Sequence, residues 1–315
     1  MTDNQCNVIE ALANPDGSPE AWKNAPAVRL WQGVPPGGSF AKPPELTEDF
    51  APEMLANWPA DFLRCVQMPE LRIFRPQRAN GAAVLVMPGG GYAFLSIRNE
   101  GTDIAERLNR YGYTVFVLVY RLPGEGWHPR WAVPLIDAQR AMRLIRARAT
   151  EFGVDPARVA AVGFSAGGNL AANLATSFAQ RLHDPVDAID AQDARPAAVG
   201  LIYPVITMRA PATHALSRRL LLGTEPAAEL IARCSAEDHV DATTPPLFLT
   251  HALDDAKVPP DNSLMMAAAC RAAQRPCELH LVQEGGHGFA IGGEGTPASV
   301  WSGLFHLWVT LHGIA

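Results

Sequence analysis

A serine between two glycines is the first feature of the chain that indicates chemistry. It is Ser165, in the stretch GFSAG at 163–167, where an apolar run typical of a strand gives way to an Ala- and Leu-rich helical pattern. This is the G-x-S-x-G pattern of a nucleophile elbow, in which a tight strand-to-helix turn exposes the hydroxyl and the glycines let two backbones approach. Three fixed positions also occur by chance or in an ordinary turn, so the pattern needs partners.

The serine needs a histidine base, which a carboxylate must orient. His287 fits, because it lies in the glycine-rich stretch EGGHGFAIGG after the last apolar strand and follows the serine in the chain order Ser, Asp, His. His280 is predicted on a strand and His306 and His312 on the terminal helix, which favours structural or surface roles. His128, His183, His214 and His239 are set aside because they precede the expected acid.

Two adjacent carboxylates compete for the place of the acid. The stretch LTHALDDAKVPP puts Asp254 and Asp255 just after an apolar strand, at the end of the sheet where reactive groups collect. In hydrolases with an H-G-x-x-D-x-x-V-P pattern the acid stands three residues before the valine, which favours Asp255. Asp254 would then orient the loop or cap the next helix. Only the geometry of the folded site decides between them.

Three consecutive glycines are candidates for binding an oxyanion. The stretch MPGGGYAF at 87–94 follows a predicted strand, and its glycines can turn their amides inward without side-chain obstruction. Acyl transfer needs such backbone donors for the tetrahedral intermediate. The N–H groups of Gly90, Gly91 and Ala166 are therefore the predicted oxyanion hole. A flexible glycine turn is the alternative, which the accompanying elbow, acid and histidine disfavour.

Aromatic residues near these loops are candidate substrate contacts. Tyr92, at the mouth of the glycine loop, would stack on a sugar or an acyl group, or serve packing only. Trp127 and Trp131 follow the C-terminal end of a strand. They would either wall the pocket or form a hydrophobic plug under the N-terminal arm.

Alternating strands and helices must position these groups. Unbroken apolar runs predict strands, and amphipathic stretches between them predict helices. The order of these elements predicts an α/β fold with a mostly parallel central sheet and helices on both faces. The predicted strands are 71–76, 82–88, 113–122, 157–164, 197–206, 246–253 and 277–283. The predicted helices are 99–112, 133–153, 166–182, 262–273 and 299–313.

The domain organisation follows from composition. Residues 1–70 are rich in Pro and Gly and are predicted to be an N-terminal arm packed on the domain, because Trp22, Trp31 and Trp58 carry more apolar surface than a solvated linker does. A flexible linker is the alternative. Residues 71–315 are predicted to be one catalytic domain, with the weakly patterned segment 207–243 as a candidate small cap.

With these features in register, the chain resembles the α/β-hydrolase superfamily from about residue 71 onward, and more narrowly its acetylxylan-esterase-like branch of carbohydrate esterases. The residues that carry the resemblance are PGGGY at 88–92, the run 119–172 that contains VGFSAGGNLAA, HALDDAKVPPDNS at 251–263 and GGHGFAIG at 285–292. The resemblance implies a triad of Ser165, Asp255 and His287. Two positions depart from one branch or the other: Pro88 replaces the histidine of hormone-sensitive-lipase-like esterases, and Asn169 replaces a histidine common among sugar esterases.

The resemblance implies a serine esterase that removes short acyl groups, above all acetyl, from a carbohydrate such as an acetylated xylo-oligosaccharide. Two alternatives stay open. A serine exopeptidase shares the fold and the triad order, although it usually binds the α-amino group through an extra domain that this sequence lacks. A non-catalytic binding protein of the same fold typically lacks the serine, the acid or the histidine.

Composition limits the expected partners. With 26 basic and 32 acidic side chains, the net charge of −6 offers no footprint for nucleic acid or an anionic membrane. Neither the five cysteines nor the histidines have metal-ligand spacing, so no metal or other cofactor is expected. A small-molecule or oligosaccharide ester is the expected partner, and a homodimer stays open. The chain has no signal-type start and no 18-residue apolar run, so a cytoplasmic location is expected, although a chain trimmed of a secretory leader would look the same.

Overall fold

An eight-stranded sheet forms the centre of the computed structural model, which describes residues 20–315. The strands are β1 Ala27–Arg29, β2 Phe62–Leu63, β3 Glu70–Phe74, β4 Ala83–Met87, β5 Leu95–Ser96, β6 Thr114–Val119, β7 Val159–Phe164, β8 Val199–Ile202, β9 Leu247–Ala252 and β10 Cys277–Val282. Their order in the main sheet is β1-β3-β6-β4-β7-β8-β9-β10, and β2 pairs separately with β5. The pairs β1/β3 and β3/β6 are antiparallel, and every later pair is parallel.

Helices cover the sheet. They are α1 Glu20–Asn24, α2 Pro52–Ala56, α3 Asp103–Asn109, α4 Val133–Ala147, α5 Ala149–Phe152, α6 Ser165–Ser177, α7 Ala215–Leu222, α8 Ala228–Arg233, α9 Asp261–Ala272 and α10 Trp301–Leu311. A π-helical turn, Arg98–Thr102, leads directly into α3. The 3₁₀ turns are Pro123–Glu125, Ala188–Ala191, Ala236–His239 and Pro297–Val300.

The core lies on both faces of the parallel strands. Every residue of β4, β6, β7, β8 and β9 is buried. Strands that are covered on both faces have no solvent side for polar residues, which is why they occur in the sequence as continuous apolar runs. The predicted α/β class with a mostly parallel sheet is confirmed.

The N-terminal arm adds a strand to the sheet, which the sequence did not predict. Ala27 of β1 is opposite Arg72 of β3, and the predicted boundary at residue 70 falls on the first residue of β3. Trp22 and Trp31 are each 1% exposed, and Trp58 is half-buried. Residues 1–19 of the predicted arm lie outside the described residues. From residue 20 on, the arm is packed against the body by its tryptophans.

The segment 207–243 carries α7 and α8. Its start is tied to its own later part, because the Met208 N–H donates to Ser235 Oγ at 3.0 Å. On α7, the Arg219 guanidinium forms an ion pair with Asp49 of the arm. The helix α7 therefore connects the arm with the part of the body that carries the glycine loop.

Three further observations concern the described residues. None of the helices within 20–315 is long and apolar enough to cross a membrane. The same residues contain no group of three or more His, Cys, Asp or Glu side chains arranged to hold a metal ion. Cys234, Cys270 and Cys277 are free thiols.

Candidate active site

Ser165 is held in a sharp turn between β7 and α6. Its φ is 52°, in the left-handed region that non-glycine residues rarely adopt and that often marks functional sites. The flanking glycines make this turn possible. A Cβ at Gly163 would lie 2.2 Å from the Gly167 oxygen, and a Cβ at Gly167 would lie 2.1 Å from the Met87 oxygen. Only glycine at both positions lets α6 start this close to the backbones of β4 and β7.

His287 connects Ser165 with Asp255. Its Nε2 lies 2.8 Å from Ser165 Oγ, and its Nδ1 lies 2.7 Å from Asp255 Oδ2. Asp255 follows β9, and the half-buried histidine lies on the loop that follows β10. The three side chains thus have the contacts by which a carboxylate orients an imidazole and the imidazole removes a proton from a serine.

The two adjacent acids have different partners. Oδ1 of Asp254 accepts hydrogen bonds from the N–H groups of Gly285 at 3.0 Å and Gly286 at 2.8 Å. It therefore holds the loop that carries His287. Asp255 is the carboxylate that contacts the imidazole itself.

Hydrogen bonds keep Asp255 ionised although it is buried. Oδ1 accepts from the N–H groups of Lys257 at 3.0 Å and Val258 at 2.9 Å, while Oδ2 faces His251 and His287. Burial alone raises the pKa of this carboxyl, but hydrogen bonds from His251, His287 and the Val258 N–H outweigh it, so the pKa lies well below its usual range. A charged carboxylate here stabilises the imidazolium that forms during catalysis.

His251, at the end of β9, supports the acid and was not predicted as a site residue. Its Nε2 lies 3.2 Å from Asp255 Oδ2 and 3.0 Å from the Val258 oxygen, so this nitrogen carries a proton and donates. Its Nδ1 lies 2.8 Å from Ser263 Oγ. The fully buried imidazole therefore fixes the loop 255–258 that carries the acid. The only signal in the sequence was its position four residues before the acid.

The glycine loop lies close to Ser165, since a Cβ on Gly89 would lie 2.9 Å from Ser165 Cβ. The Gly89 N–H is not available to a substrate, because it donates a hydrogen bond to Glu100 Oε2 at 2.7 Å. Within residues 20–315, no hydrogen bond is made by the N–H of Gly90 or Gly91. Ala166 lies in the first turn of α6, where amide groups have no acceptor within the helix and the helix dipole is positive. The N–H groups of Gly90, Gly91 and Ala166 remain the predicted donors for an oxyanion formed at Ser165.

A buried carboxylate joins the glycine loop to the histidine loop. Besides binding the Gly89 N–H, Glu100 accepts a hydrogen bond from the Tyr203 hydroxyl at 2.8 Å. That hydroxyl in turn accepts from the Ala290 N–H at 3.1 Å, and the Tyr203 ring stands edge-on to the His287 ring at 5.2 Å. Burial raises the pKa of Glu100, and the hydrogen bonds from Tyr203 and Gly89 oppose this effect. Glu100 therefore holds the two loops in register.

We expect Glu100→Gln to lower kcat by about 10- to 100-fold, while KM changes by less than about threefold. Glutamine has the same shape, but its amide nitrogen cannot accept a hydrogen bond, so Gly89 or Tyr203 loses its acceptor. Steady-state kinetics on a short-chain ester measure the effect, with Glu106→Gln on the exposed face of α3 as the matched control. Equal activity of the two variants would refute a positioning role for Glu100.

Tyr92 faces the interior and not the mouth of the glycine loop as predicted. The residue is 1% exposed, and its hydroxyl donates to Asn169 Oδ1 at 2.9 Å. Its φ of 61° and this hydrogen bond to α6 explain the inward direction of the side chain. Tyr92 supports the loop from behind, and in this structure its ring is not available to stack on a substrate.

The two candidate tryptophans lie in different surroundings. Trp127 is 5% exposed and packs under the arm, with the Phe40 ring at 6.2 Å and the Arg121 guanidinium 5.0 Å above its face. It fits the predicted plug and not the pocket wall. Trp131 is half-buried and lines, together with Tyr92 and Asn169, a small cavity of about 20 Å³, which has room for one water molecule.

The segment 207–243 brings two unpredicted residues to the site. A Cβ on Gly91 would lie 3.1 Å from Leu216 Cδ2 and 3.6 Å from His214 Cε1. The His214 ring lies 6.5 Å from the His287 ring. The sequence analysis assigns no catalytic role to His214, because this residue precedes the acid in the chain. The segment 207–243 has no clear periodicity, so its sequence does not indicate where His214 lies in the fold.

The fold and the site define the class of protein. A mostly parallel sheet with a serine elbow at the end of β7 defines an α/β-hydrolase fold, and the chain is similar to named esterases. The profile of the BD-FAE family matches residues 71–270. The chain belongs to the BD-FAE family, which confirms the predicted resemblance to acetylxylan-esterase-like proteins.

Similar proteins include both curated relatives and solved structures. An acetylxylan esterase of Xylanibacter ruminicola is 33% identical over 223 residues, which are 70% of this chain and 43% of that protein. Endo-1,4-beta-xylanase B of Butyrivibrio fibrisolvens is 35% identical over 220 residues, 70% of this chain and 34% of that protein. The crystal structure of an acetyl ester-xyloside bifunctional hydrolase from Caldicellulosiruptor lactoaceticus has a TM-score of 0.75 and 31% identity, covering 92% of this chain and 97% of that chain. The chain thus spans less than half the length of these two curated relatives.

Proposed function

We propose that this protein removes acetyl groups from an acetylated xylose-based oligosaccharide through an acyl-enzyme on Ser165. The observation that carries the proposal is the continuous set of contacts from Ser165 Oγ through His287 to Asp255, at 2.8 and 2.7 Å. These contacts lie beside the unengaged amides of Gly90 and Gly91. Together they supply a nucleophile, a base and electrostatic stabilisation of the oxyanion.

The reaction proceeds in two halves. Ser165 Oγ attacks the ester carbonyl while its proton passes to His287 Nε2, and the carbonyl oxygen becomes an oxyanion held by the amides of Gly90, Gly91 and Ala166. When this intermediate collapses, the bond to the alcohol breaks and His287 returns the proton to the alcohol oxygen. Water, deprotonated by His287, then attacks the acyl-serine, and acetate leaves as Ser165 takes the proton back.

Two observations favour a short acyl group and a sugar alcohol. The side chain of Leu216 lies against Gly91 and restricts the room next to the oxyanion donors. The names of the relatives, an acetylxylan esterase and an acetyl ester-xyloside hydrolase, state acetyl and xylose chemistry for those proteins. The first supports acetyl over longer acyl groups, and the second supports acetyl and a xylose-based leaving alcohol.

A substrate series tests the proposal. We expect kcat/KM for p-nitrophenyl acetate to exceed that for the octanoate ester by at least about tenfold, since a restricted pocket rejects added methylenes. Acetate should also be released from acetylated xylo-oligosaccharide, as measured by chromatography. A preference for octanoate would contradict the acyl assignment. Turnover of aminoacyl p-nitroanilides without ester turnover would favour the exopeptidase alternative.

A further inference from the structure

His214 is a second imidazole at the site that the reaction described above does not use. It stands directly before α7, and its ring lies nearly parallel to the His287 ring, at 6.5 Å and an interplanar angle of 26°. Its Cε1 lies 3.6 Å from the position of a Cβ on Gly91. His214 thus flanks both the catalytic imidazole and the glycine loop.

One ring nitrogen of His214 is fixed and the other is not. Nδ1 lies 2.8 Å from Oγ of the fully buried Ser217, whereas no residue within 20–315 hydrogen-bonds Nε2. Burial, together with the charges of His287 and Lys257, lowers the pKa of His214 to about 4, while Asp255 and Asp49 oppose this shift. The ring is therefore neutral near pH 7 and presents Nε2 as its one polar atom without a protein partner.

The place of the His214 ring suits recognition of the leaving alcohol. The alcohol oxygen must reach His287 Nε2 to receive its proton, so the alcohol lies against the catalytic imidazole and near the parallel His214 ring. Nε2 of His214 is not buried, so it is accessible to solvent and to a bound substrate. A hydroxyl group both donates and accepts hydrogen bonds, so it can bind either tautomer of His214.

We propose that Nε2 of His214 binds a hydroxyl group of the alcohol, on the carbon adjacent to the one that carries the ester. The site would then select acetates of polyhydroxylated alcohols over acetates of simple alcohols. The inference rests on the proposed esterase function and assigns a residue to the recognition of its alcohol. Ser217 then acts through His214, because it holds the ring in the orientation that aims Nε2 at the substrate.

A comparison of two acetates tests this role. Methyl xyloside monoacetate carries hydroxyl groups next to the ester, and ethyl acetate does not. We expect His214→Phe to lower kcat/KM on the xyloside acetate by about 10- to 100-fold and on ethyl acetate by less than about threefold, because only the former loses a hydrogen bond. His214→Gln, which restores a polar terminus, should recover part of the loss. Ser217→Ala should reproduce a smaller loss with the same selectivity.

Equal losses on the two acetates, or no loss on either, would overturn the proposal and assign His214 to packing alone. A binding measurement separates this failure from failure of the proposed function. In the Ser165→Ala background, calorimetry with methyl xyloside should record weaker binding when His214→Phe is added, whether or not the wild type hydrolyses xyloside acetates. Unchanged binding would overturn the role of His214, whereas a wild type inactive on both acetates would overturn the esterase proposal instead.

Discussion

Ser165→Ala is expected to lower kcat on p-nitrophenyl acetate by about 10⁴- to 10⁶-fold, the scale of loss found when the nucleophile of a serine hydrolase is removed. KM should change little, because alanine leaves the substrate contacts and the amides of Gly90 and Gly91 in place. The alanine also fits the turn without new contacts. Steady-state kinetics on purified protein measure the effect.

The control is Ser177→Ala, at the other end of α6, which removes a hydroxyl from the same helix far along the chain from the turn. This variant should retain wild-type kcat. Circular dichroism should be the same for both variants. Wild-type turnover by Ser165→Ala would contradict the assignment of the nucleophile and would require another group at the site to carry the acyl.

Asp255→Asn is expected to lower kcat by about 10³- to 10⁴-fold, since an amide facing Nδ1 of His287 favours the wrong tautomer of the imidazole. The neighbouring Asp254→Asn should cost less than about tenfold, because its side-chain oxygen still accepts from the Gly285 and Gly286 N–H groups. The two substitutions are chemically identical and adjacent in the chain. Their kcat values on the same ester therefore compare the two acids directly.

A larger loss for Asp254→Asn than for Asp255→Asn would contradict the triad geometry. Equal and small losses would mean that no carboxylate orients His287. The pH dependence adds a second readout. Hydrogen bonds hold the pKa of Asp255 well below its usual range, so this carboxyl stays ionised as the pH falls to 5, and a loss of wild-type activity between pH 7 and 5 reports protonation of another group.

Much of the architecture could be predicted because the relevant signals are local. The runs that form β4, β6 and β7 are continuous apolar stretches, since both of their faces are buried. The glycines around Ser165 are required by backbone contacts within one strand-to-helix turn. The order of serine, acid and histidine along the chain is also visible in the sequence itself. Such features can be recognised in the sequence without knowledge of contacts between distant residues.

The features that sequence reasoning missed depend on contacts between distant parts of the chain. Glu100 reaches Tyr203 and His214 reaches Gly91 only after the loops assemble. The inward direction of Tyr92 depends on a positive φ and on a partner on α6. The strand β1 has three residues, which is too short for a periodic pattern to appear. Each of these was decided by tertiary packing.

The most direct test of the account is detection of the acyl-enzyme itself. The wild type is mixed with excess p-nitrophenyl acetate, quenched in acid during turnover and digested, and the acetylated peptide is sequenced by mass spectrometry. We expect a single acetyl group on Ser165 that disappears when the substrate is exhausted and does not form in Ser165→Ala. Turnover without any acetylated serine, or a transient acetyl group on another residue, would contradict it.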